Sequence, residues 1–258
     1  MPSAAGLYYF AHGLEQTHRP PVLLLHGAGG THLHWPPEIR RLNGQRILAL
    51  DLPGHGKSEG VGFQSVLDYA QSVAAFIRAL KLPPVILVGH SMGGAIAQTL
   101  ALRFPKRVCG LGLVGTGARL RVSPAILENA STPATFPLAV QMVMDMAFGP
   151  QADTRLKELA AERMLETRSS VLYGDFIACD SFDVMEKIKR IKIPTLVVCG
   201  TEDKMTPMRY SEYFAENIEG ARLNMVDGAG HMVMLERAQR VAEILLDFFN
   251  TFPDLNLA

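Results

Sequence analysis

Residues 85–94 read V-I-L-V-G-H-S-M-G-G, an apolar run followed at once by a serine between glycines. The run 85–89 predicts a strand buried on both faces, and residues 92–103 predict a helix. At such a junction the chain turns so sharply that the serine backbone is strained, and Gly89 and Gly93 avoid clashes with larger side chains. The turn pushes the hydroxyl of Ser91 into the open, so the stretch predicts a nucleophilic serine.

On both sides of this junction, short apolar runs alternate with longer amphipathic segments, which is typical of β-α-β units on a mainly parallel sheet. Further strands are predicted at 21–26, 46–51, 108–114, 195–199 and 221–226, and further helices at 66–80, 208–215 and 235–249. The alternation stops between about 118 and 192, where segments 138–148, 154–167 and 184–188 have helical spacing. We therefore expect a core domain of residues 1–117 and 193–258, with a helical cap inserted at 118–192.

The hexapeptide G-H-S-M-G-G at 89–94 resembles the nucleophile elbow of the α/β-hydrolase family, and the resemblance covers nearly the whole chain. It implies an α/β-hydrolase fold, with a mainly parallel eight-stranded sheet flanked by helices. Within that family, the resemblance is to small carboxylesterases with a helical cap. This implies a serine esterase that works without a cofactor.

A serine hydroxyl needs a base, and the base needs an orienting acid. Residues 200–207, with Asp203 and Pro207, resemble the acid loop G-x-x-D-x-x-x-P of the family. His231, in G-A-G-H at 228–231, lies where the family carries its histidine. We predict Ser91 as nucleophile, His231 as base and Asp203 as acid. Glu202 and Asp227 are the alternative acids, but Asp227 is only four residues from the histidine, too local to reach around the imidazole comfortably.

An oxyanion hole supplies the largest electrostatic contribution to acyl transfer. The first helical N–H, that of Met92, is one predicted donor. The stretch V-L-L-L-H-G-A-G-G at 22–30 resembles the oxyanion loop of the family, which implies the second donor at Ala28 or, as the alternative, at Gly29. His26 is expected to order this loop, while a backbone N–H does the chemistry.

Three other features of the sequence have either a structural role or a role that stays open. The segment 51–58, D-L-P-G-H-G-K-S, matches a loop that many relatives carry, with a structural role expected. Trp35 is expected in the core or in the wall of a pocket. The methionines at 142, 144 and 146 suit plain packing or the lining of an acyl pocket.

The composition limits the classes of partner that the chain is expected to bind. In a chain of 258 residues, 25 Lys and Arg balance 25 Asp and Glu, which argues against nucleic acid or an anionic membrane surface and favours a neutral substrate. The three cysteines are far apart, and H-x-H at 32–34 lacks a nearby Asp, so no metal site is predicted. We find no secretory signal pattern and expect a cytoplasmic protein, as a monomer or homodimer.

The function predicted is hydrolysis of small, neutral esters of short to medium acyl chain through an acyl-enzyme on Ser91. Family members that open epoxides or remove halides use an aspartate nucleophile and are disfavoured by this serine. One alternative is a carbon–carbon bond hydrolase acting on ring-cleavage products, although those enzymes often carry Asn where this chain has His90. The second alternative is a small-molecule receptor with little turnover.

Overall fold

The computed structural model describes residues 2–13 and 19–254. In these residues the strands are β1 (Ser3–Ala4), β2 (Leu7–His12), β3 (Val22–Leu25), β4 (Ile47–Leu50), β5 (Val85–His90), β6 (Val108–Val114), β7 (Thr195–Gly200) and β8 (Arg222–Val226). The helices are α1 (Pro37–Arg40), α2 (Val66–Ala79), α3 (Met92–Arg103), α4 (Pro124–Ala130), α5 (Phe136–Ala147), α6 (Thr154–Leu165), α7 (Ser169–Asp180), α8 (Met208–Asn217), α9 (Val233–Glu236) and α10 (Ala238–Phe249). Short 3-10 helices lie at His32–His34, Pro105–Arg107 and Met185–Arg190.

The sheet confirms the predicted eight-stranded, mainly parallel architecture, in the order β1-β2-β4-β3-β5-β6-β7-β8. Only the pairs β1–β2 and β2–β4 are antiparallel among the described strands. Strands β1 and β2 were not predicted, because L-Y-Y-F-A-H has neither a bounded apolar run nor strict alternation. The other six strands lie within one or two residues of their predicted bounds. Strand β5 lies between β3 and β6, which places its carboxyl end near the middle of the sheet.

Alternate side chains of the central strands belong to two separate cores. In β3, for example, Val22 and Leu24 pack in one cluster with α10, while Leu23 and Leu25 pack in the other with α2 and α3. Helices therefore cover both faces, and this explains why the strands read as continuous apolar runs.

The last predicted helix is divided in two. Arg237 has φ −134° and ψ 50°, so α9 ends at Glu236 and α10 begins at Ala238. The break allows the carboxylate of Glu236 to accept hydrogen bonds from the N–H of Gly149 and the N–H of Gly230. Glu236 thereby ties the end of α5 to the loop that precedes His231.

Four helices, α4–α7, lie between β6 and β7, and we call them the cap. Segments 138–148 and 154–167 correspond to α5 and α6, and segment 184–188 overlaps the 3-10 helix Met185–Arg190. Helix α7 was missed because apolar side chains and one carboxylate, that of Asp175, are buried around it, so no amphipathic stripe marks it. The division into a core domain and a separate cap domain stays a prediction. In the described part of the chain, every helix is too short or too polar to cross a bilayer.

Candidate active site

The backbone of Ser91 is held in a conformation that non-glycine residues rarely adopt, with φ 51° and ψ −117°. A Cβ on Gly89 would lie 2.1 Å from the carbonyl oxygen of Gly93, and one on Gly93 would lie 2.3 Å from the carbonyl oxygen of Leu25. Both glycines are therefore required by close backbone contacts. This explains in atomic terms why the pattern G-x-S-x-G fits a strand-to-helix turn.

Hydrogen bonds to the backbone of Ser91 hold the strained turn in place. The N–H of Ser91 donates to Val114 O over 3.0 Å, and its carbonyl accepts from the hydroxyl of Thr116 over 2.8 Å. The N–H of Gly94 donates to the same carbonyl over 2.9 Å. These bonds fix the peptide groups on each side of the serine, and its side chain lies in the wall of a cavity beneath the cap.

His231 and Asp203, which are distant in sequence, form a buried pair. Nδ1 of His231 lies 2.9 Å from Oδ2 of Asp203. Oδ1 of the same carboxylate accepts from the N–H groups of Met205 and Thr206 over 2.9 and 2.8 Å. Burial alone would raise the pKa of Asp203, but the charge and hydrogen bond of His231 and the bonds from Thr206 outweigh it and lower this pKa. The carboxylate is therefore ionised at neutral pH and holds the proton of the imidazole on Nδ1.

Thr206 adds a third member to this pair. Its hydroxyl donates to Oδ2 of Asp203 over 2.8 Å, and its oxygen lies 3.2 Å from Nδ1 of His231. Since the hydroxyl contacts both partners, it restricts rotation of the carboxylate and of the ring.

His231 and Ser91 line the same cavity. The hydrogen bonds of the described residues do not include one between the serine hydroxyl and Nε2 of the histidine, so the pairing of nucleophile and base stays a prediction. Bonds of this kind often tighten only with substrate in place.

His90 supports the histidine loop from inside the elbow. Its Nε2 donates to the backbone carbonyl of His231 over 3.0 Å, and its Nδ1 is buried without a partner among the described residues. Burial, followed by the charge of His231, lowers the pKa of His90 far below its ordinary value. A neutral ring with its proton on Nε2 therefore fits this position.

Residues 27–30, which we call the oxyanion loop, form a turn closed by a bond of 3.1 Å from Gly30 N to Gly27 O. In the described residues, no protein acceptor is recorded for the N–H of Ala28 or of Met92. The N–H of Gly29 instead donates to Oδ2 of Asp175 on α7 over 2.9 Å. The N–H of Gly29 is thereby occupied by a cap carboxylate, which favours Ala28 over Gly29 as the second donor; the choice between them stays a prediction. Ala28 and Met92 stay the predicted donors.

His26 orders the loop, as the sequence suggested. Its Nδ1 donates to Gly27 O over 2.7 Å, and its Nε2 accepts from the N–H of Leu52 over 3.0 Å. Asp51 ties the next loop together by accepting from the N–H of His32 and the N–H of Lys57. These bonds join segment 51–58 to the oxyanion loop, and they agree with a structural role for that segment and for His26.

The cavity beside Ser91 has a volume of about 100 Å³, and most of its lining is apolar. Met146 lines this cavity, as expected for an acyl pocket. Met144 is buried in the core and Met142 packs against the core, as expected for plain packing. Trp35 is fully buried in the core and is absent from the cavity wall.

One polar wall of the cavity is His34. Burial first, and the positive charges of Arg163 and His55 second, lower its pKa to about 4, with Asp51 opposing the shift. His34 is therefore neutral at pH 7.

Several of these supporting residues were not predicted as part of the site: Thr206 and Asp175 were missed, His34 was considered only as a metal ligand, and His90 only as a flanking residue. Thr206 lies three residues after Asp203, where a hydroxyl next to a predicted catalytic acid is a usable local signal. No local signal marks Asp175, since its partners are 106 to 146 residues away.

Known proteins resemble this chain in sequence over most of its length. The model of the alpha/beta hydrolase family matches residues 22–244. The pimeloyl-[acyl-carrier protein] methyl ester esterase of Neisseria meningitidis is 28% identical over 240 residues, which cover 88% of this chain and 92% of that protein.

Two solved structures superimpose on nearly the whole chain. A thermophilic esterase is 34% identical with a TM-score of 0.80, covering 95% of this chain and 98% of the other. The enol-lactonase from Burkholderia xenovorans LB400 is 25% identical with a TM-score of 0.88, covering 95% of this chain and 96% of the other.

Proposed function

Because this chain belongs to the alpha/beta hydrolase family, we propose that it hydrolyses small, uncharged carboxylic esters through an acyl-enzyme on Ser91. One observation carries the proposal: a serine in a strained turn shares a largely apolar cavity with an imidazole bonded to a buried carboxylate. The names of the relatives, two esterases and an enol-lactonase, support ester hydrolysis as the reaction.

In the first step, Oγ of Ser91 attacks the ester carbonyl carbon while Nε2 of His231 takes the hydroxyl proton. The carbonyl oxygen becomes an oxyanion and accepts from the N–H groups of Ala28 and Met92. The tetrahedral intermediate collapses, the carbon–oxygen bond to the alcohol breaks, and the imidazolium gives its proton to the departing alkoxide. Asp203 keeps the second ring proton on Nδ1 throughout.

In the second step, His231 takes a proton from water, whose oxygen attacks the acyl carbon. A second tetrahedral intermediate forms in the same oxyanion hole. Its collapse returns the proton to Oγ of Ser91 and releases the carboxylic acid. This mechanism uses only side chains and backbone groups of the chain.

The cavity suggests how long the acyl chain is. An apolar cavity of roughly 150 Å³ holds the six carbons of benzene. By proportion, the cavity of about 100 Å³ holds an acyl chain of about four carbons. Its apolar lining favours an unbranched or lightly branched hydrocarbon chain without charge.

A series of p-nitrophenyl esters with acyl chains of two to twelve carbons tests the proposal. We expect burst kinetics and turnover in the wild-type chain, with both lost in Ser91→Ala. Turnover confined to a dienoic ring-cleavage product would support carbon–carbon hydrolysis instead. Ester binding without turnover would support the receptor alternative. The cytoplasmic location and the monomeric or homodimeric state stay predictions.

A further inference from the structure

The cap reaches into the core with a carboxylate that is fully buried. Asp175 on α7 has 0% exposure, and its Oδ2 accepts from both the N–H of Gly29 over 2.9 Å and Nε2 of His55 over 2.8 Å. Its Oδ1 accepts from the hydroxyl of Tyr69 over 2.6 Å. Buried carboxylates are costly unless they are paired and hydrogen-bonded. All three donors come from the core, so this charge is satisfied only while the cap is docked.

His55 is the ionisable partner of this carboxylate. Its Nδ1 lies 3.1 Å from Pro53 O and its Nε2 faces Asp175, so both ring nitrogens meet oxygen acceptors. Burial lowers the pKa of His55, but the charge and hydrogen bond of Asp175 outweigh this and raise the pKa. The hydrogen-bonded pair of His55 and Asp175 fits the complete burial of both side chains.

A second cap residue contacts the same glycine. The hydroxyl of Thr167, between α6 and α7, donates to Gly29 O over 3.1 Å. The cap therefore binds both the N–H and the C=O of one residue in the oxyanion loop.

Cap side chains also cover the Cα of this glycine. A Cβ on Gly29 would lie 2.8 Å from Cδ1 of Leu172 and 3.3 Å from Cγ of Met164, and φ is 63°. Only glycine suits a left-handed position pressed against two side chains. The cap thus contacts Gly29 by polar bonds on both peptide groups and by packing between them.

We propose that Asp175 and Thr167 are positioning residues that hold the oxyanion loop from the cap, so that docking of the cap completes the oxyanion hole. This inference rests on the proposed function, because it assigns Ala28 as an oxyanion donor. The N–H groups of Ala28 and Gly29 belong to two successive peptide groups, with that of Ala28 first. Fixing Gly29 on both sides fixes the direction in which the preceding N–H points, and a shift of about 1 Å in such a group can cost ~100-fold in rate.

A purely structural role for these residues predicts a different result. In that case, weakening any contact between cap and core would reduce activity in proportion to stability. Arg168 provides the matched control, because it is next to Thr167 and donates to the carbonyl oxygens of Gly54 and Gly60, but does not touch the oxyanion loop.

The test compares Thr167→Val, Thr167→Ser, Asp175→Asn and Arg168→Met on p-nitrophenyl butyrate. We expect kcat to fall ~5- to 10-fold in Thr167→Val and ~100-fold in Asp175→Asn, with KM within about 2-fold, because only the charged transition state uses the hole. Thr167→Ser keeps the hydroxyl and restores wild-type kcat. Arg168→Met keeps wild-type kcat even though it loses cap contacts.

Two further readouts separate positioning from folding. Affinity for butylboronic acid, which places an oxygen anion in the hole, falls with kcat/KM in Thr167→Val, while affinity for butanol is unchanged. Hydrogen exchange of the Gly29 and Gly30 amides is faster in Thr167→Val and in Asp175→Asn than in Arg168→Met.

The proposal is overturned if Thr167→Val and Arg168→Met behave alike in kcat, or if exchange at Gly29 is unchanged in both oxyanion-loop variants. An inactive wild-type chain would remove the proposed function. Exchange at Gly29 would then still decide whether the cap holds this loop.

Discussion

Met146 offers a direct test of which side chains set the acyl-chain length. It lies on α5, lines the cavity beside Ser91 and is only partly buried, so shortening it removes little of the core. Met146→Ala deletes three heavy atoms from the wall. The enlarged cavity has room for about three more chain atoms beyond the four carbons that the wild-type cavity holds.

The magnitude follows from the apolar burial of each added carbon. A buried methylene contributes ~0.8 kcal/mol, which is about 4-fold in kcat/KM. In the wild type we expect kcat/KM to rise by about this factor per carbon up to butyrate and then to level off or fall. In Met146→Ala the rise continues, so hexanoate, with two further methylenes, gains ~15-fold relative to butyrate.

The assay measures kcat/KM on p-nitrophenyl acetate, butyrate, hexanoate and octanoate for the wild type and two variants. Leu138→Ala is the matched control, because Leu138 lies on the same helix with 53% exposure and does not line the cavity. It should keep the wild-type profile. If folded Met146→Ala has the wild-type hexanoate-to-butyrate ratio, the cavity is not the acyl site and the reasoning is refuted.

Three other changes test the surroundings of the site. Thr206→Val removes the hydroxyl that contacts both Asp203 and His231. Steady-state kinetics should show a ~3- to 10-fold fall in kcat with KM unchanged. A change in KM alone would argue against a role of this hydroxyl in orienting the pair. Burial holds the pKa of folded His34 at about 4, whereas the unfolded residue binds a proton below about pH 6.5, so the wild type loses stability as the pH falls between these values. Urea unfolding should show that His34→Leu avoids roughly 3 kcal/mol of this loss. If the free energy of unfolding falls equally with pH in both proteins, the burial argument is refuted. Gly93→Ala places a Cβ 2.3 Å from a carbonyl oxygen of β3, so thermal unfolding should show more than ~2 kcal/mol of lost stability; an unchanged midpoint would contradict the close contact.

The features that could be predicted from sequence are those whose causes are local. The turn at Ser91 was identified because its strand, its two glycines and its helix are consecutive in sequence, although the contact that requires Gly93 is made by the distant carbonyl of Leu25. The central strands were identified because burial on both faces makes each an uninterrupted apolar run. The acid and base segments each follow a strand, so parallel topology brings their loops to the same edge of the sheet.

What the sequence could not reveal depends on the cap. Asp175 is one carboxylate in a helix without an amphipathic stripe, and its contact with Gly29 spans 146 residues. The hydrogen bond that occupies the N–H of Gly29 could not be predicted for the same reason, since its acceptor belongs to a segment whose docking has no local signature. Met146 and Met144, two residues apart on one helix, differ in role only because the helix faces both cavity and core.

The most direct test of the central claim is covalent labelling of the proposed nucleophile. The wild-type chain is treated with diethyl p-nitrophenyl phosphate, and the labelled peptide is identified by mass spectrometry while the rate is followed by p-nitrophenolate release. We predict one label per chain on Ser91, none in Ser91→Ala, and labelling at least about 1,000-fold slower in His231→Ala. A label on any other residue, or equal rates in the wild type and His231→Ala, would contradict the claim that His231 activates Ser91.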